Sequence, residues 1–184
     1  MTVTLLVGTT KGVFLLDSDD ARRAWSVRGP LCDGWSINHV IGDPETGTIW
    51  AAGGREWQGA GVWRSVDGGE SWQVTKLANG KLNDWIAENP SEAETFGMSP
   101  EPPAPFTGAL DTLWSLGRSN GRLYAGAKPA ALYTSDDGGE SWQHLPELAA
   151  HPSRSGWQPG AAGLVLHTIV ADPAAPGKLW VGIS

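Results

Sequence analysis

Apolar residues recur along this chain in short runs separated by Gly, Pro, Asp and Asn. TLLVGTT is followed by GVFLLDS, TIWAAGG by GVWRSVD, and RLYAGAK by ALYTSDD, with KLWVGIS closing the sequence. One further run precedes three of these sets: INHVIGDP at 37–44, LWSLGRS at 113–119 and HTIVADP at 167–173. Runs rich in Val, Ile, Leu, Trp and Tyr and bounded by turn formers predict short antiparallel strands. No stretch shows sustained helical periodicity. Each repeating unit therefore reads as four strands, here a, b, c and d.

An octapeptide marks the end of the third run. SVDGGESW at 65–72 and SDDGGESW at 135–142 share the skeleton Ser, Asp two later, Gly four later and Trp seven later. Ser65, Asp67, Gly69 and Trp72 fit it, as do Ser135, Asp137, Gly139 and Trp142. SDDARRAW at 18–25 keeps Ser18, Asp20 and Trp25 but carries Arg22 at the Gly position. The octapeptide spans the end of strand c, a tight turn and the start of strand d. Ser and Asp side chains hold such turns by bonding their amides, and Gly supplies positive φ. The Trp offers a broad apolar face to the next unit. Repetition in every unit argues for scaffold rather than catalysis, although a carboxylate beside a hydroxyl can do acid–base work.

Four-strand units at this spacing predict a β-propeller, all-β, with about three and a half blades. Blade 1 is expected at about 3–28, blade 2 at 37–76 and blade 3 at 111–145. A half blade 4 is expected at 164–184. An insertion at 78–110 stretches the third unit and is expected to act as a lid over the channel or as an ordered partner loop. Its removal should abolish ligand binding and leave the blades intact. Unit one lacks strand a and unit four stops after strand b. The sequence thus reads as a partial propeller with an unpaired apolar edge, open to self-association.

S-x-D-x-G-x-x-W is similar to the Asp-box, or bacterial neuraminidase repeat, of sialidases and their relatives. GTTKGVFLL, GWSINHV, KPAALYTSDDGGESW and HPSRSGWQPGAAGLVLHTIVADP extend the resemblance to bacterial sialidase-like "glycosyl hydrolase, BNR repeat" proteins. It covers nearly the whole chain apart from the insertion. The resemblance implies a propeller whose Asp-boxes lie away from the active site, and a glycan-directed, glycoside hydrolase-like activity in the central channel. It also implies an arginine triad, a Tyr–Glu nucleophile pair, an Asp acid/base and a Phe/Tyr-Arg-Ile-Pro motif near the N-terminus. No such motif stands there, and Tyr124 and Tyr133 occupy strand positions held by Trp50 and Trp63 one unit earlier. No catalytic residue is assigned. The alternative is a non-catalytic propeller that binds a small ligand or a protein.

Composition narrows the partners. A net charge of −7 with no basic cluster argues against nucleic acid and anionic membranes. Cys32 is the one cysteine, so no intrachain disulfide forms. No signal peptide or transmembrane-length segment is evident, so a cytoplasmic location is expected. No cofactor or metal is expected, since the histidines lack ligand spacing.

In an antiparallel meander the a–b and c–d turns share one end of a blade. The b–c and d–a connections share the other, where a ligand face is expected. Its candidates are Lys11, Trp35, Asn38, His39, Arg55, Glu56, Trp57, Lys128, His151, Arg154, Trp157, Gln158 and His167. Trp stacks on sugar rings and Arg grips carboxylates in a fork. The bland reading is that the Trp residues anchor loops and that each His bonds a backbone carbonyl. His39 and His167 are expected at the same end of two a strands, buried or facing the channel. Glu56 with Asp84 or Glu88 is a candidate carboxylate pair.

Overall fold

Alternation along each run gives every strand two faces, and in this fold both faces are used. The computed structural model describes residues 3–184. Its thirteen strands form antiparallel sheets of three, four, four and two strands. The first holds β1 (Val3–Thr9), β2 (Gly12–Ser18) and β3 (Ser26–Leu31). The second holds β4 (Ile37–Gly42), β5 (Ile49–Arg55), β6 (Gly59–Ser65) and β7 (Gln73–Asn79), in that order. The third runs β8 (Thr112–Ser119), β9 (Arg122–Lys128), β10 (Leu132–Ser135), β11 (Gln143–Leu145), and the last pairs β12 (Leu166–Ala171) with β13 (Leu179–Ile183). These are b-c-d, a-b-c-d, a-b-c-d and a-b meanders, a partial β-propeller. Strands β3 and β7 run to Leu31 and Asn79, a few residues past the expected blade limits.

The core lies between blades, and blades 2 and 3 are each sandwiched by two neighbours. Ile49 and Ala51 face blade 1, packing with Val13, Leu15, Trp35 and Trp63. Trp50 and Ala52 face blade 3, packing with Leu116, Leu123 and Trp142. The same alternation recurs one blade on: Leu123 points back, while Tyr124 joins Leu166 and Ile169 of blade 4. Period-2 side-chain direction with burial on both sides accounts for the continuous apolar character of β5 and β9.

The octapeptides close their turns by near-identical networks. Ser65 Oγ accepts from Gly69 N at 2.8 Å and donates to Asp67 Oδ1 at 2.8 Å. Asp67 also accepts from the amides of Glu70 and Ser71 and from Ser71 Oγ. Ser135, Asp137, Gly139, Glu140 and Ser141 repeat every one of these bonds. Each box also latches onto the preceding blade. Trp50 Nε1 donates to Gly138 O at 2.7 Å, Arg64 pairs with Glu140 at 2.8 Å, and Arg28 pairs with Glu70 at 3.0 Å. Trp72 and Trp142 turn their indole N–H back to Gly69 O and Gly139 O. The first copy departs from this pattern. Ser18 Oγ donates to Ala24 O, and Asp19 accepts from the amides of Ala21 and Arg22. Arg22 sits at φ 51°, where Gly69 and Gly139 sit at 94° and 98°, and Trp25 is partly exposed.

The insertion contains helix the sequence reading did not anticipate. Helix α1 (Lys81–Glu88) buries Ile86, and α2 (Pro90–Thr95) buries Ala93. The segment is also part of the core, so its removal would not leave the blades intact. Leu77, Ala78 and Leu110 are buried in the cluster shared by blades 2 and 3. Phe106 packs on Tyr133 with ring centroids 4.7 Å apart, and its amide donates to Leu77 O. Deleting 78–110 would therefore open the blade 2–blade 3 core. Phe106→Ala is expected to cost about 2 kcal/mol, below the range for a fully buried ring. Urea denaturation measures it, and an unchanged midpoint would place the insertion outside the core.

Candidate functional site

Strand register sets which loops meet. In blade 2, Ile49 pairs with Ser65 at the octapeptide end, and Arg55 pairs with Gly59 at the other. Six residues at ~3.4 Å each separate the two ends by roughly 20 Å. At the Arg55 end, the b–c and d–a connections of blade 2 meet the start of blade 3 around a cavity of about 860 Å³. Arg55, Glu56, Lys81, Asp84, Asp111, Trp114 and Lys128 line it together with Thr10, Ser36, Asn38, Thr107 and Thr112.

Some of these groups hold the walls in place. Asn38 Nδ2 donates to Leu113 O at 2.7 Å and to Thr112 Oγ1 at 3.2 Å, while Thr112 Oγ1 donates to Gly54 O at 3.0 Å. These bonds tie the inner strand of blade 3 to blade 2. Glu56 forms an ion pair with Lys81 at the start of α1. The hydrogen bond from Lys81, and then its charge, hold the Glu56 carboxyl below the usual range. Glu56 is thus kept as a carboxylate, the wrong form for a general acid near neutrality. Arg55, Asp84, Asp111 and Lys128 have no side-chain partner among the described residues.

A β-bulge shapes each inner strand at the same place. Register shifts fall between Ile37 and His39, between Leu113 and Ser115, and between Leu166 and Thr168. Asn38, Trp114 and His167 are the extra residues, and a bulge re-aims such a side chain. Asn38, rather than His39, therefore stands level with His167 at this end of the inner strands. His39 lies one position further on. Its Nδ1 accepts from the amide of Leu116 at 2.8 Å, so its partner is an amide donor rather than a carbonyl. Burial lowers its pKa, so the ring is a neutral brace between blades.

The remaining candidates disperse. Trp35 is buried edge-on against Trp63, with centroids 5.7 Å apart, which makes it a loop anchor. Trp57 is exposed and borders a smaller cleft of about 250 Å³ with Thr10, Gly34, Ser36 and Arg55. Lys11 occupies the exposed β1–β2 turn. His151, Trp157 and Gln158 line a separate groove of about 450 Å³ beside Val181 and Ile183. Arg154 donates to Ala130 O and lies 5.3 Å from the Trp157 ring centroid. His167 is exposed and bonded to Thr168 Oγ1. The cavity thus gathers Asn38, Arg55, Glu56 and Lys128, and adds Lys81, Asp111 and Trp114, which the sequence reading passed over.

No family model matches the sequence. A xyloglucanase of Paenibacillus sp is 29% identical over 140 residues, 74% of this chain. The chain spans 10% of that curated relative's length. A solved structure described as "YCF48 bound to D1 peptide" aligns with 94% of this chain and 49% of the other, at TM-score 0.41 and 17% identity. Among the described residues, no helix is long and apolar enough to cross a membrane.

Proposed function

We propose that this chain is a glycan-binding part of a glycoside hydrolase-like propeller of the Asp-box kind, and that its cavity between blades 2 and 3 takes a neutral sugar chain. The observation that carries this reading is the cavity's charge balance. Two cations, Arg55 and Lys128, and two carboxylates, Asp84 and Asp111, lie unpaired around it, while Glu56 and Lys81 neutralise each other. Hydroxyl-rich ligands use such alternating donors and acceptors. A sialate carboxylate would need a cluster of arginines, and Arg55 is the single arginine of the lining. The similarity to a xyloglucanase supports the same ligand class.

Calorimetry against xyloglucan oligosaccharides tests it, with sialyllactose as the acidic comparison. The neutral chain should bind and sialyllactose should not. Asp84→Ala and Asp111→Ala should each weaken binding roughly tenfold, the loss of one charge-assisted hydrogen bond. Preference for sialyllactose, or no oligosaccharide binding, would overturn the reading.

A further inference from the structure

We infer that Trp114 is the specificity-determining residue of the cavity, a platform on which a sugar ring stacks. This rests on the glycan reading above. Trp114 is the single aromatic ring of the lining, and Leu110 is the one other large apolar side chain there. The bulge between Leu113 and Ser115 turns it out of the strand alternation, while Leu113 and Ser115 on either side remain fully buried. Ser115 donates to Leu166 O of blade 4, so the polar brace to the next blade is made by Ser115 and not by the bulged residue. The equivalent bulge residue in blade 2, Asn38, is committed to such a brace.

The indole N–H supplies the second argument. Trp114 Nε1 is sealed from water and has no acceptor among the described residues. An unmet buried donor costs stability, and phenylalanine would fill the same wall without that cost. Trp63 Nε1 is likewise unmet, but its ring is packed inside the blade 1–blade 2 core against Trp35. At Trp114 the ring borders the cavity while its donor is buried, so a ligand there meets ring carbon and not the N–H. Stacking, rather than a hydrogen bond from the indole, is the interaction this geometry allows.

The test compares Trp114→Phe and Trp114→Ala with the unaltered chain, using a xyloglucan oligosaccharide as the probe. Trp114→Phe should melt no lower than the unaltered chain yet bind several-fold more weakly, so stability and affinity move apart. Trp114→Ala should weaken binding roughly tenfold or more, since ring area and stacking both go. In the unaltered chain, the indole resonance that disappears in Trp114→Phe should shift on titration. If Trp114→Ala fails to fold, Trp114→Phe and that resonance decide the matter. Binding that is equal in both rings, with an unmoved indole resonance, would overturn the platform while leaving the cavity reading intact. No binding by the unaltered chain would overturn both.

Discussion

Gly53→Ala is expected to lower the melting temperature by roughly 6–12 °C, from a cost of about 3 kcal/mol, the upper range for overpacking. A β-carbon at Gly53 would stand 2.0 Å from Ser36 O and 2.9 Å from Ile37 Cα. Both are backbone atoms at the entry to the neighbouring inner strand β4, so no side-chain rotation relieves the clash. The strand could only move away, and Asn38 and His39 on it carry the bonds to blade 3. Gly126→Ala meets the same obstacle, with Leu166 O at 2.5 Å and Ser115 Oγ at 2.3 Å. Gly156, which has open space around it, is the control, and its alanine variant should melt like the unaltered chain. Equal melting of Gly53→Ala and Gly156→Ala would mean that the blades tolerate slippage at their inner strands.

Gly53 and Gly126 face the bulges, and those bulges mark the limit of what the sequence disclosed. The strands were legible because each carries a complete apolar run between turn formers, and the octapeptides because their letters recur. A bulge leaves no such trace, since one extra residue inside a run alters the facing of everything after it without altering composition. Read as strand, Trp114 is simply another apolar residue of LWSLGRS. One signal could have found it. Counting back from Asp43-Pro44 and Asp172-Pro173 places Asn38 level with His167, and the apolar-x-polar-apolar pattern of Leu113–Leu116 then puts Trp114 in the same row.

Helix α1 escaped for a different reason. Leu82, Trp85 and Ile86 give it little more than one turn of apolar stripe, and its N-cap, Gly80, makes no side-chain bond. Its position is set by tertiary contacts instead. The amides of Lys81 and Leu82 donate to Glu56 O and Trp57 O of blade 2. Glu56 joins Lys81 by the same logic, through a pairing across 25 residues that no local pattern encodes.

Acid is expected to act on this protein through the octapeptides. Asp67 and Asp137 lie far below an ordinary aspartate at 3.8, held there first by the Ser71 and Ser141 hydroxyls and then by amides of the same turns. A folded value below the unfolded one means that the unfolded chain binds more protons as pH falls. The stabilisation is therefore complete above about 3.8 and is lost progressively below it. His39 adds an earlier, smaller loss. Its folded value also lies below the ordinary 6.5, so protonation of the unfolded chain begins to compete below that pH. Melting temperature should decline gently from about pH 6.5 and steeply below pH 4. His39→Gln should remove the first part, and Asp67→Asn with Asp137→Asn should flatten the second while lowering stability at neutral pH. Ser135→Ala separates the turn's geometry from its charge. It leaves the buried amide of Gly139 without its acceptor, at a cost of roughly 1–3 kcal/mol, and it should do so at every pH. An acid profile identical in the double Asn variant and the unaltered chain would show that the carboxylates are not what acid attacks. The octapeptides would then owe their stabilising effect to the Gly-to-Trp closure and the latches on the preceding blade alone.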